Sequence, residues 1–426
     1  MPTFCRRTVP RPTRRRRPVR ENGRMEPTTT PHAHRPPHRK RRVPLWDNAR
    51  WIAITLVVIG HGILPLIAED DAAYSVYLFI YSFHVAVFVT VSGYFAKSGP
   101  PNARAMRQVL TDIVFPYFIF ETIWTVIRFA LGGDFVLDYT TASWTLWFLI
   151  ALAIWRIALP YLVLLRFPLL IAIAISIGAG YAVEIDSTLA LTRTFGMFPF
   201  FVFGWKLRQW RITDRWLDLS TAATWRWRTG AIALFSVLLV VLPMAIETWR
   251  DLRLRRFMLY DESYEAIGYD EPWSGAIRLF LLLLAMLLAV AFLVLMPRRT
   301  TPFTAFGSAT MYIYLLHSFV LFPLRETPIL EGEQPWWVLP AMIVFCIGVS
   351  VVLSLKPVRR VFRPLVEPRA RWLFRPEPST ATGTLVLPPD ALPPLPDAGP
   401  TAPPAPPAPP APPSPPRRDP GPGARE

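Results

Sequence analysis

The chain has 426 residues, is 52% hydrophobic and carries a formal net charge of +16, with a mean hydropathy of +0.31. Its two cysteines, Cys5 and Cys346, exclude a disulfide framework and a cysteine metal cluster. The apolar residues gather in runs near the roughly 20 residues that a helix needs to cross a bilayer core, which excludes an ordinary soluble domain.

Residues 1–44 hold fourteen Arg and Lys against Glu21 and Glu26, so most of the net charge is local. They read as a disordered, basic cytoplasmic tail drawn to anionic lipid headgroups. No aromatic side chains interleave with its arginines, so no nucleic-acid partner is expected. His32, His34 and His38 belong to the same low-complexity stretch. Asp47 and Arg50 interrupt the apolar run that follows, and no small-residue site closes it, so a cleaved signal peptide is not expected. Met25 is an alternative start.

Ten apolar spans follow, at about 45–67, 74–97, 109–131, 144–164, 167–184, 190–206, 230–248, 273–296, 304–324 and 336–355. The predicted fold class is therefore all-α, a polytopic helical bundle of about ten transmembrane helices. Arg39 to Arg42 set the first end in the cytoplasm, and the even count keeps both termini there. The arginines of the later loops agree, with one exception. Residues 249–272 hold Arg250, Arg253, Arg255 and Arg256 yet fall outside. Asp261, Glu262, Glu265, Asp270 and Glu271 accompany them, so this segment reads as the largest extracytoplasmic loop, either part of a substrate mouth or merely solvated. The expected domain plan is a tail at 1–44, a membrane domain at 45–357, and a disordered, Pro-rich cytoplasmic tail at 358–426, ending in polyproline-like triplets.

Polar residues inside the spans carry the functional signal, because ionisable groups are costly to insert. Arg50 and His61 lie eleven residues apart. At about 100° per residue they share one helix face, roughly 16 Å apart along the axis. His84 and His317 occupy spans two and nine at a depth comparable with His61. Asp47 precedes Arg50 by three residues, close enough to pair with it. Glu121 and Arg193 are likewise embedded, and the set implies a polar cavity. Core imidazoles hydrogen-bonded to neighbouring helices are the bland alternative for each histidine. No carboxylate or thiol stands at ligand spacing to them, so no metal is expected. Arg104 and Arg107, before span three, serve either as positive-inside residues or as a clasp for anionic phosphates.

Arg50 with His61, Phe83-His84 to Ser92-Gly93-Tyr94-Phe95, Arg104-x-x-Arg107 before Phe115-Pro116-Tyr117, Trp147-Phe148-Leu149, Pro199 to Gly204, and Gly307-Ser308 to Tyr314-Leu315-Leu316-His317 occur in this order. Over residues 45–357 the chain resembles acyltransferase family 3, the membrane O-acyltransferases, on the side of its fucose acetylase-like and O-antigen acetylase-like members. That resemblance implies an enzyme of the bacterial plasma (inner) membrane that moves an acyl group, usually acetyl, from cytoplasmic acyl-CoA to a glycan hydroxyl. Acetyl-CoA is then a co-substrate and no cofactor is bound. His61 is expected as general base or acyl carrier, and Arg50 as a partner of the donor phosphate or thioester oxygen. Arg104 and Arg107 would hold the nucleotide; His84, Glu121, Arg193, His317 and Asp47 would position or tune. The expected partners are the lipid bilayer, acyl-CoA and the acceptor glycan. A proton-coupled secondary transporter or glycan flippase suits the same buried charges, although no duplicated half is visible. A scaffold working through the Pro-rich tail is the third reading.

Overall fold

The computed structural model describes residues 43–100, 102–185, 187–368 and 373–374. The basic tail and nearly all of the Pro-rich segment lie outside the described residues. The chain divides into two units, Met1–Arg369 and Ala370–Glu426; the fold set out here belongs to the first.

Seventeen α-helices run through the described residues in the order α1 Pro44–Gly62, α2 Asp71–Tyr81, α3 His84–Tyr94, α4 Ala103–Val109, α5 Phe115–Ala130, α6 Trp147–Leu162, α7 Pro168–Ala179, α8 Leu191–Gln209, α9 Ile212–Leu217, α10 Thr221–Met244, α11 Ile246–Asp251, α12 Leu254–Leu259, α13 Tyr264–Ile267, α14 Ser274–Leu295, α15 Thr310–Glu326, α16 Val338–Ser354 and α17 Lys356–Val366. No strand occurs among them; one isolated bridge pairs Thr141 with Thr188. Each of the ten apolar stretches read from the sequence contains a helix. By length and composition five segments can cross a membrane: Asp71–Tyr94, Ala103–Ala130, Thr221–Met244, Ser274–Leu295 and Pro302–Glu326. Counting α16 with α17, bent by 73°, makes six. α1 and α8 are not in that set. Each is interrupted by charge, and each packs inside the bundle.

Local chemistry sets the ends that matter. α1 starts with Pro44 in its first turn, where the missing N–H costs nothing. α2 is capped by Asp70, whose carboxylate accepts from the amides of Ala72 and Ala73 at 2.8 and 3.1 Å. The second apolar stretch is broken at Ser82 and Phe83 rather than continuous, so that α3 opens on His84.

Small residues decide the tightest contact. A Cβ on Gly93 of α3 would collide with the Phe201 carbonyl, and one on Gly204 of α8 with the Thr90 carbonyl. These two helices therefore touch backbone to backbone, as small residues permit in membranes. α10 is the opposite case. Ile232, Val237, Leu239, Val240 and Val241 stand exposed along it, an apolar surface that suits lipid.

Two expectations change. The disorder expected from 358 does not hold for the first residues of that segment, because α17 extends to Val366. Its apolar Val358, Phe362 and Leu365 pack on the core, Arg359 lies over Tyr312, and Arg360 and Arg363 are exposed. The loop at 249–272 is not merely solvated. Phe257, Tyr260, Tyr264 and Ile267 are buried, and the Tyr264 amide donates to the Gly180 carbonyl at 2.7 Å. Its arginines are used internally: Arg250 pairs with Asp71 at 2.8 Å, and Arg256 with Glu262 at 3.4 Å. Arg253 donates to the Ile267 carbonyl at 2.5 Å.

Candidate active site

Where α1, α3 and α8 meet the folded loop, a cavity of about 240 Å³ opens. Ile54, Val57 and His61 of α1 line it at positions i, i+3 and i+7, so the stripe on which the sequence places Arg50 and His61 forms its wall. His84, Arg193 and Trp144 come from three other segments of the chain.

The histidines form a directed relay. His317 Nδ1 lies 2.9 Å from the Ile313 carbonyl oxygen, which can only accept, so this nitrogen carries a proton. In the neutral ring Nε2 is then the acceptor. It sits 2.9 Å from His61 Nδ1, which must donate to it. The remaining nitrogen of His61, Nε2, is left with an open lone pair. His84 is fixed the same way, Nδ1 donating to the Ile80 carbonyl at 2.8 Å beside the helix break. His84 and His317 are buried, whereas His61 is partly open. Only His61 combines a free basic nitrogen with this access.

Trp144 packs over His61 with ring centroids 5.3 Å apart, at a backbone φ of +37° that a tryptophan adopts only when held. Glu121 holds it. Its Oε2 accepts from the Ser143 amide at 2.8 Å, and its other oxygen accepts from the Ser143 hydroxyl. Arg128 closes the set, donating to Ser143 Oγ at 2.5 Å and Thr125 Oγ1 at 3.1 Å. Glu121, buried on α5, therefore stands behind the wall and does not line the cavity. The Tyr314 hydroxyl donates to the Thr145 carbonyl and ties the same turn to α15.

At the other side Arg193 pairs with Asp261 at 2.5 Å and lies 5.1 Å over Trp147. Arg255 lies 5.6 Å over Tyr77. Arg255 Nε and Asp261 Oδ1 are buried with no hydrogen-bond partner, and both residues line the cavity. Polar atoms left so in a folded protein ask for a ligand group or water.

The remaining predicted residues sit elsewhere. Asp47 and Arg50 approach to 3.9 Å at the opposite end of α1, and Arg50 lies 4.4 Å over Phe95. Arg104 and Arg107 are on α4, Arg104 exposed, and neither lines the cavity. Among the described residues no three His, Cys, Asp or Glu side chains are grouped to hold a metal ion. Sequence reasoning missed Trp144, Arg255 and Asp261. The last two had a signal, the misplaced charges of their loop; Trp144 had none.

A basic imidazole nitrogen in an aromatic-walled cavity, with a cation and a carboxylate at its side, is equipped to deprotonate a hydroxyl. Residues 44–355, which contain every one of these side chains, match the family model of an acyltransferase domain. The chain belongs to acyltransferase family 3. Like the family, it is an O-acyltransferase with a multi-pass, helical membrane body. It is similar to nodulation protein NolL of Mesorhizobium japonicum, 26% identical over 342 residues, which cover 75% of this chain and 87% of that protein. No solved structure matches it.

Proposed function

We propose that this acyltransferase takes an acyl group, acetyl by preference, from cytoplasmic acyl-CoA and places it on a hydroxyl of a cell-surface or lipid-linked glycan. The enzyme works in the bacterial inner membrane, with ten spans and both termini cytoplasmic. The observation that carries the reading is the Ile313–His317–His61 relay, which leaves His61 Nε2 as the acceptor nitrogen in the cavity. That nitrogen removes the proton from the acceptor hydroxyl as its oxygen attacks the thioester carbonyl. The C–S bond then breaks, and the CoA thiolate leaves with the proton that His61 held. General-base help of this kind contributes about 10²–10⁴-fold.

The walls support a sugar. Trp144, Trp147, Tyr77 and Tyr81 offer flat apolar faces, while Asp261, Arg193 and Arg255 offer hydrogen bonds to hydroxyls. Arg50, steadied by Asp47, lies toward the donor, and Arg104 and Arg107 take its nucleotide phosphates. His84 helps position the acceptor, and Glu121 acts through Trp144. No metal, bound cofactor or nucleic acid takes part.

The test uses the full-length protein in nanodiscs with acetyl-CoA and candidate glycans, read as CoA release and as acetyl ester on the glycan by mass spectrometry. Acceptor-dependent release that His61→Ala abolishes is expected. Release that is indifferent to acceptor, or full turnover by correctly folded His61→Ala, overturns the reading.

A further inference from the structure

At the far end of α1 from His61, a second cavity of about 430 Å³ lies between the first two turns of α10 and the end of α14. Thr221, Thr224, Arg228, Arg298, Arg299 and Thr301 line it, three guanidinium groups and three hydroxyls, and no carboxylate is among its lining residues. Positive-inside charge explains arginines at a membrane face. It does not explain their convergence on one cavity. Arg298 donates to Thr224 Oγ1 at 2.8 Å and lies 4.1 Å over Trp216, yet its Nε is buried with no hydrogen-bond partner. Arg228 is held beside it by the Val294 and Met296 carbonyls at 3.3 and 3.4 Å. Burial, and then the like charge of Arg228, hold Arg298 below the usual guanidinium range. The amino end of the 24-residue α10 adds its dipole to the same spot.

We infer that this cavity is a binding site for a phosphomonoester. Such a group is a dianion with three acceptor oxygens, so it relieves the crowding of Arg228 against Arg298 and meets the orphaned N–H. The chemistry has two sources, the 3′-phosphate of a nucleotide or the headgroup of a lipid such as phosphatidic acid. The site stands independently of acyl transfer at His61, and its residues play no part in that step.

The full chain in phosphatidylcholine nanodiscs is titrated with adenosine 3′,5′-bisphosphate, and in parallel moved into nanodiscs containing phosphatidic acid, with binding read by native mass spectrometry and thermal shift. Binding of either probe is expected, weakened about tenfold or more in Arg298→Gln and falling with salt. Thr221→Glu puts a carboxylate in the cavity at a helix amino end, where it favours folding, and is expected to abolish the Arg298-dependent binding with the fold intact. Saturation by the nucleotide that Arg298→Gln weakens and the double variant Arg104→Ala, Arg107→Ala leaves in place assigns that source; retention of phosphatidic acid alone assigns the lipid. Failure of both probes to bind, or equal binding by Thr221→Glu and wild type, overturns the proposal.

Discussion

His61 Nδ1 lies 2.9 Å from His317 Nε2, and the two rings are nearly parallel, 12° apart in plane. In the proposed mechanism the pair acts as base and orienter, the orienter being anchored to the Ile313 carbonyl. His317→Gln is therefore expected to lower kcat about 10- to 100-fold while leaving acyl-CoA affinity unchanged, since it frees the tautomer of His61 without touching the donor. Single-turnover and binding measurements separate the two. An unchanged kcat removes His317 from the relay.

Glu121 acts on the site at one remove. Glu121→Ala leaves Ser143 and Arg128 without their shared acceptor, and is expected to cost about 1–3 kcal/mol of stability. Trp144 then loses its fixed place over His61. The kinetic signature is a raised KM for acceptor; a variant with wild-type KM and kcat shows that Trp144 is held by packing alone.

The backbone contact between α3 and α8 has no slack. Gly204→Val is expected to cost about 1–3 kcal/mol through overpacking, seen as a lower melting temperature in detergent. Gly230→Val is the control, because a Cβ there meets nothing within 4 Å. Equal shifts in both variants contradict the close-contact account.

Arg250 staples the folded 249–272 segment to α2, donating to Asp71 and to the Ile67 carbonyl at 3.1 Å. Without it the loop that carries Arg255 and Asp261 is expected to open more often, by about 1–2 kcal/mol. Limited proteolysis of Arg250→Ala measures this as faster cleavage near residues 252–256.

Acid acts on the 131–146 turn through Asp138. Its carboxyl, accepting from Thr140 and then Thr141, is held at about 2, below its ordinary 3.8. A lowered carboxyl pKa stabilises the native turn above 3.8, and that contribution is lost as pH falls toward 2. The protection factor of the Thr140 amide is expected to hold down to about pH 4 and to fall below it. Asp138→Asn removes the dependence.

Much of the bundle was legible in the sequence, for a plain reason. Span-length apolar runs report burial in lipid, and the eleven-residue step from Arg50 to His61 reports a shared face. The three histidines at one depth pointed to a polar cavity, which His61, His84 and His317 do approach together. Contacts made by irregular backbone were not legible. Glu121 reads as an embedded charge aimed at substrate, because periodicity says nothing of the Ser143 amide 22 residues on. The arginines of residues 249–272 stood out against the expected charge pattern, and their partners are visible only in three dimensions: each finds a carboxylate, a carbonyl or a tyrosine face.

One side chain ties the first helix to the connector before α15. Asn48, fully buried near the start of α1, donates to the Pro297 and Arg299 carbonyls at 3.0 and 3.1 Å and accepts from the Thr301 and Thr304 hydroxyls at 3.0 and 2.6 Å. All four of its hydrogen-bonding positions are spent on one connector. The first helix is thus bolted at its base to the strap entering α15, the helix that bears His317. The helices that bear the two imidazoles are thereby tied to each other at the end of α1 remote from His61.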